Sequence, residues 1–299
     1  MLLLLPAAYL LLQAVISVRT ELVTVPVAVT DDHGHQVPGL IQDNFRVYDE
    51  GRLQTIVVFH HGDVPVTLGL IVDHSQSMRP KNAALRTAVS ALLQSSRPDD
   101  ELFGIGFSDR VSLVRAGSGP FTSDLATLTT ALTTMPAGGR TALYDGLAEG
   151  LEHLQLGHTE KRVLVVVSDG GDNASHETYT QILMLARRSQ TVVYAIGLLG
   201  TPPADEEEDA GAIERLCRDT GGVAYFPRSI EETATVAARV ARDLREQYTL
   251  GIVPEARADG GAFRRIDVKV SAAGHGRLHV RTRAGYAVIG DQGKKGDLP

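Results

Sequence analysis

The sequence predicts an α/β protein: a doubly wound, mostly parallel sheet inserted in a discontinuous β-sandwich-like module made from both ends of the chain. Two observations predict the sheet. Segments that are apolar throughout, Thr67 to Val72, Leu102 to Phe107, Val163 to Val167 and Val192 to Ile196, read as strands buried on both faces. Each is followed by helical periodicity, the alternation that builds an open α/β sheet. A third observation predicts the sandwich. Apolar and polar residues alternate before and after this region, and neither terminal set, of about three strands each, suffices for a core of its own, so the two should pair.

Taken in order, residues 1–17 form an almost wholly apolar segment, Leu2 to Leu5 and Leu10 to Leu12 included, which suits the core of an export signal and is short for a membrane span. No Lys or Arg precedes Arg19, so the basic leader is missing and the start reads as truncated. In the first β-rich part, residues 18–63, Val23, Val25, Val27 and Val29 alternate with Thr24, Pro26 and Ala28 up to the turn at Asp31-Asp32-His33-Gly34. Short strands follow at Phe45 to Tyr48 and Thr55 to Phe59, around the turn Asp49-Glu50-Gly51. The α/β domain is placed at residues 64–246, with helices over about Asn82 to Gln94, Leu125 to Thr133, Ala142 to Leu154, Tyr179 to Arg188, Ala210 to Asp219 and Ile230 to Arg245. A short strand at Val223 to Phe226 follows Gly221-Gly222. The second β-rich part, residues 247–290, carries Ile266, Val268 and Val270, then Leu278, Val280 and Thr282, at strand spacing. Residues 291–299 read as a disordered tail.

The bulk numbers exclude whole classes of function. With 43% hydrophobic and 22% charged residues in 299, the chain is globular rather than disordered. Its 29 Lys and Arg against 36 Asp and Glu give a net charge of -7, so no general field favours nucleic acid or an anionic membrane. Cys217 is the only cysteine, which rules out an intrachain disulfide, and its helical context predicts a buried apolar role.

The chemistry lies at the strand ends. The apolar strand Leu68 to Val72 runs into Asp73-His74-Ser75-Gln76-Ser77, a D-x-S-x-S sequence ahead of a helix that Pro80 is expected to start. The strand Val163 to Val167 ends in Ser168-Asp169-Gly170, and the loop from Ala137 to Asp145 presents Thr141 at a helix start. In an open α/β sheet these positions share the carboxyl edge, where ligands bind. Asp73, Ser75, Ser77, Thr141 and Asp169 then supply carboxylates and hydroxyls but no thiolate, a set of hard oxygen donors that selects Mg²⁺, with Mn²⁺ or Ca²⁺ as alternatives, over zinc or copper. So few charged ligands suit Mg²⁺ and leave the ion able to accept a further carboxylate.

These residues resemble the metal-ion-dependent adhesion site of von Willebrand factor A domains, with D-x-S-x-S at Asp73 to Ser77, the threonine at Thr141 and Asp-Gly at Asp169-Gly170, in the family's order. Val37-Pro38-Gly39-Leu40, Asp43 to Tyr48, Val64 to Gly69, Tyr248-Thr249-Leu250-Gly251 and Arg283 to Tyr286 resemble segments of the secreted bacterial VWFA-related proteins, so the likeness covers roughly residues 20–288. It departs at His74 and Gln76, where the family often has smaller residues. The resemblance implies a Rossmann-like fold and a protein partner that offers an Asp or Glu carboxylate, without enzymatic activity.

Other signals are weaker. Asp172, Asn173 and His176 read as a polar loop capping the next helix rather than an auxiliary ion site. The acidic run Asp205 to Asp209 reads as a solvated loop and helix start. His60-His61 and His74 lack an H-E-x-x-H pattern or a cysteine partner, and Ser75 and Ser77 lack a G-x-S-x-G elbow. The expectation is an exported, non-enzymatic binding module, periplasmic, on the cell surface or extracellular. The alternatives are an assembly scaffold with a vestigial metal site and, behind it, a metal-assisted hydrolase.

Overall fold

The computed structural model describes residues 22–62, 64–114, 117–198, 207–255 and 263–287; the signal-like segment, the first two residues of the acidic run and the tail lie outside them. The chain opens with β1 (Val23–Thr30), β2 (Phe45–Asp49), β3 (Arg52–Gln54) and β4 (Ile56–His61). The middle follows as β5 (Val66–Asp73), α1 (Asn82–Gln94), β6 (Glu101–Phe107), β7 (Val111–Val114), α2 (Leu125–Thr134), α3 (Leu143–His153) and β8 (Lys161–Ser168). Next come α4 (Tyr179–Ser189), β9 (Val192–Gly197), α5 (Glu207–Thr220), β10 (Ala224–Tyr225) and α6 (Ile230–Glu246). It closes with β11 (Tyr248–Ile252), β12 (Phe263–Val270), β13 (His279–Thr282) and β14 (Gly285–Ala287).

The fold class is the expected one. A six-stranded sheet runs in the order β10-β9-β8-β5-β6-β7. All its pairings are parallel except β6 with β7. Because successive side chains of a strand point to opposite faces, β5 feeds two cores at once. Leu68, Leu70 and Val72 pack with α1, α2 and α6, while Ile71 packs with α3, α4 and α5. Covering both faces is what lets these strands be apolar throughout. The order reverses beside β5: the chain goes from β5 to β6 on one side and returns through α2 and α3 to β8 on the other. The carboxyl ends of β5 and β8 therefore flank the switch point, where such sheets bind ligands.

The strands outside this region form two further four-stranded sheets, β13-β1-β11-β4 and β14-β12-β2-β3. One cluster lies between them, built from the valines of β1, Phe45 and Val47 of β2, Tyr248 and Leu250 of β11, and Ile266 and Val268 of β12. Both ends of the chain thus contribute to a single sandwich. Its polar inclusions are satisfied: Arg264 forms an ion pair with buried Asp49, and the Tyr248 hydroxyl donates to Val37 O at 2.8 Å while accepting from Leu40 N at 3.0 Å.

A buried polar knot joins the sandwich to the α/β sheet. Asp243 of α6 accepts from the Tyr194 hydroxyl of β9 at 2.6 Å and from Gln36 Nε2 at 2.6 Å, and it forms an ion pair with Arg281 of β13. Gln247 Nε2 donates to the same Tyr194 oxygen at 2.7 Å. Each carboxylate oxygen has a donor, the condition under which a buried charge is tolerated.

Three local expectations need correction. Pro80 does not start α1: it lies inside a 3-10 turn, Gln76–Lys81, and the α-helix begins at Asn82. The edge strand β7 and the short β3 escaped the sequence reading, each too short to show a period. The polar loop at Asp172 serves the helix before it rather than the one after. Asp172 Oδ1 accepts from Tyr144 N at 3.3 Å, Ser175 Oγ accepts from Asp145 N at 3.1 Å, and α4 is capped by Thr178 instead.

Candidate metal centre

Asp73 and Asp169 stand side by side because β5 and β8 are parallel neighbours in register, Val72 opposite Val167, and the next residues turn out of the sheet. Past Asp73 the chain tightens into the Gln76–Lys81 turn, pinned by Met78, which is buried in the core beneath α1. That turn brings both serines back over the strand end. Ser75 Oγ and Ser77 Oγ lie 3.0 Å apart, and Ser77 Oγ donates to Asp169 Oδ1 at 3.1 Å. Four of the five residues singled out from the sequence are thus linked by short polar contacts, directly or through one another.

Thr141 is placed by backbone. Its N–H donates to Asn173 Oδ1 at 2.9 Å, and its carbonyl accepts from Asn173 N at 2.9 Å. Two strands of loop are stitched above it, Gln76 N to Gly139 O at 3.0 Å and Gly138 N to His74 O at 2.7 Å, so the Thr141 loop is tied to the D-x-S-x-S turn. Gly139 permits this with φ +81°, and a Cβ there would fall 2.1 Å from Asp109 Oδ2. Only glycine meets both demands without strain.

The electrostatics are uneven. Asp73 is fully buried; Oδ1 accepts from Ser75 N at 2.7 Å and Oδ2 from Ser168 Oγ at 2.6 Å, but among the described residues no cation pairs with it. Burial pushes its carboxyl above the ordinary range, the bonds from Ser168 and Ser75 pull it back, and the neighbouring charge of Asp169 raises it again. Asp169, by contrast, has a cation: Lys81 Nζ lies 2.7 Å from Oδ2. His74 points away into the protein. Burial pushes its imidazole toward the neutral form, and Nε2 lacks a hydrogen-bond partner among the described residues.

Sequence reasoning had not singled out Ser168 or Lys81, and it gave Asn173 only a capping role on the following helix. Ser168 had a signal, adjacency to Asp169. Lys81 had a subtler one, a cation at a helix start, where the macrodipole opposes it.

The donor set fits a hard divalent cation. Asp73, Ser75, Thr141 and Asp169 are buried while Ser77 is exposed, so the cluster reaches solvent at Ser77. The fit rests on Asp73, a buried carboxylate with no cation of its own in a cluster of oxygen donors. Among the described residues no three carboxylate, imidazole or thiol side chains gather as a metal-holding group, so an ion held here would meet two carboxylates and otherwise hydroxyls. Cys217 takes no part: it lies on α5 with its side chain buried, and burial pushes its thiol up.

Residues 68–171 match the family model of the von Willebrand factor type A domain, a span that includes all five candidate residues. No curated protein matches the chain. Among solved structures, a von Willebrand factor type A protein from Catenulispora acidiphila is similar at 13% identity, over 83% of this chain and 74% of its own, with a TM-score of 0.52. Proximal thread matrix protein 1 from the mussel byssus is similar at 17% identity, over 74% of this chain and 50% of its own, with a TM-score of 0.51. The pilus adhesin SpaC from Lactobacillus rhamnosus GG is similar at 14% identity, over 79% and 45%, with a TM-score of 0.50. The chain spans about half the length of the last two, and at such identities the likeness is one of fold. The doubly wound sheet, the polar cluster at its switch point and the matched segment agree: residues 68–171 of this chain match a von Willebrand factor type A domain.

Proposed function

We propose that this protein is an exported binding module that holds one divalent cation, Mg²⁺ foremost with Mn²⁺ and Ca²⁺ as alternatives, and mediates protein-protein interaction through a carboxylate of its partner. Asp73, Ser75, Ser77, Thr141 and Asp169 would hold the ion, which when bound supplies an electron-poor centre for an incoming Asp or Glu. The observation that carries this reading is the convergence of Asp73, Ser75, Ser77 and Asp169 at one sheet edge, linked by contacts of 2.7, 3.0 and 3.1 Å. Three of the five donors are uncharged and Lys81 offsets one of the two carboxylates, so an ion held here would keep a net positive charge and favour an anionic partner over a neutral one. Two of the similar structures are a pilus adhesin and a thread matrix protein, which supports an adhesive role outside the cell. No helix among the described residues is long and apolar enough to cross a membrane.

The chain's own residues prepare the site. Ser168 and the Ser75 N–H orient Asp73, and the Asn173 side chain orients the Thr141 loop. The test is calorimetric titration of the chelator-stripped chain with Mg²⁺, Mn²⁺ and Ca²⁺ beside Asp73→Ala. One-site binding by the wild type and none by the variant is expected; retained binding by a folded Asp73→Ala would sink the ligand assignment. A scaffold that ignores metal is the second reading. It draws on Lys81, which already neutralises one carboxylate, and it gains if the folded wild type binds none of the three ions.

A further inference from the structure

We propose that Lys81 is a built-in counter-cation that competes with the divalent ion for Asp169, so that this chain holds its ion weakly until an anionic partner arrives. The inference rests on the metal-site reading above and concerns a residue outside the five ligands.

Three features of the structure point to it. Lys81 Nζ stands 2.7 Å from Asp169 Oδ2, and Asp169 Oδ1 is meanwhile taken by the Ser77 hydroxyl at 3.1 Å, so both oxygens of this carboxylate are engaged. The pair is sheltered, with side-chain exposures of 25% for Lys81 and 7% for Asp169, so solvent screens it less than a surface pair. Lys81 also sits at the N-cap of α1 and makes no side-chain capping bond there. A cation at a helix N-terminus is opposed by the macrodipole, and Ser, Thr, Asp or Asn would serve the cap better. The cap of α1 therefore does not account for a lysine at this position, whereas contact with Asp169 does.

The charges state the consequence. Asp73, Asp169 and Lys81 together carry one net negative charge; a divalent ion added to them leaves one net positive charge. An incoming carboxylate brings that total to zero. Without Lys81 the same ion would meet two full negative charges, bind more tightly alone, and leave no excess charge to attract an anion. Lys81 thus exchanges affinity for the ion against affinity for the partner. Arg79, two residues earlier, is exposed and its Nε donates to Ala137 O at 2.9 Å, so it contributes charge near the site without touching a ligand.

The experiment measures Mn²⁺ alone, by electron paramagnetic resonance of the free ion, on the full chain and on Lys81→Met, Lys81→Gln and Arg79→Met, with circular dichroism confirming the fold of each. Removing a unit charge in contact with a ligand should tighten Mn²⁺ binding by about tenfold or more. Lys81→Gln, which retains a hydrogen-bond donor but no charge, should tighten it similarly, and Arg79→Met should change it by less than about threefold. Tightening in the Lys81 variants supports the proposal, most directly if the wild type binds too weakly to measure. Unchanged or weaker binding in folded Lys81→Gln, or equal tightening in Arg79→Met, overturns it and leaves the metal site standing. Absence of Mn²⁺ binding in the wild type and in both Lys81 variants overturns the metal reading and this inference together.

Discussion

Replacing Asp73 by Asn separates the ion's contribution from that of the fold. The carboxylate accepts from Ser75 N at 2.7 Å and from Ser168 Oγ at 2.6 Å, and Ser168 Oγ also accepts from Gly170 N at 3.2 Å. An amide can meet the same groups: its oxygen takes the Ser75 N–H, and its NH₂ donates to Ser168 Oγ, whose hydrogen turns elsewhere. What is lost is a buried charge beside a like charge. A carboxyl raised in the folded state is ionised at a cost to the fold once pH exceeds its unfolded value, so removing that charge relieves the cost at neutral pH. In chelator, Asp73→Asn should therefore melt at or above the wild type. With excess ion the order reverses. An ion present at a hundredfold its Kd stabilises the native state by about 2.7 kcal/mol. For a chain of this size that raises Tm by about 5 to 10 °C, and Asp73→Asn should show no such rise. Scanning calorimetry of both proteins, in chelator and in excess Mg²⁺, reads all four values. A rise in the variant equal to that of the wild type would refute Asp73 as a ligand. A variant melting several degrees lower in chelator would refute the account of Asp73 as a carboxylate without a countercharge.

Two further outcomes test the framework around the site. Asp243→Ala strands the Arg281 guanidinium and removes the Tyr194 acceptor, so urea denaturation should show a loss of about 3 kcal/mol, at the lower end for a broken buried pair because Arg281 is partly exposed; a loss under about 1 kcal/mol would mean the knot is not a structural joint. Gly139→Ala puts a side chain at φ +81° against Asp109 and should cost at least about 1 kcal/mol while weakening Mn²⁺ binding, since this loop carries Thr141. Unaltered metal affinity in that variant would detach the loop from the site.

The fold was legible wherever a local signal repeats. β5, β6, β8 and β9 are apolar throughout because both faces are covered, and α1 was placed at Asn82 to Gln94 from periodicity alone. The candidate site was legible for a related reason: its residues come in short runs at strand ends, and strand ends of one parallel sheet share an edge. What escaped was pairing between side chains far apart in sequence. Lys81 finds Asp169 across 88 residues and Asp243 finds Tyr194 across 49, and no period or motif announces either. The Asp172 loop was recognised as a capping loop but assigned to the wrong helix, because the side chains that cap α3 follow it in sequence by about 30 residues rather than preceding it.

The position of β1 has a consequence in time. Val27 pairs with Tyr248 on one side and with Thr282 on the other, so the strands that flank β1 among the described residues both come from the last part of the chain. During synthesis, the strand emerges first and waits. More than 200 residues separate Val27 from Tyr248, and all six helices and the whole central sheet are made within that interval. Until β11 arrives, a valine-rich strand stands with both edges open, a template for pairing with other chains. Sandwich closure is therefore expected late in folding, because it depends on distant contacts, which form slowly. A chain cut after α6 would retain the metal-site residues yet expose this strand permanently, and aggregation rather than a smaller soluble domain is its expected fate.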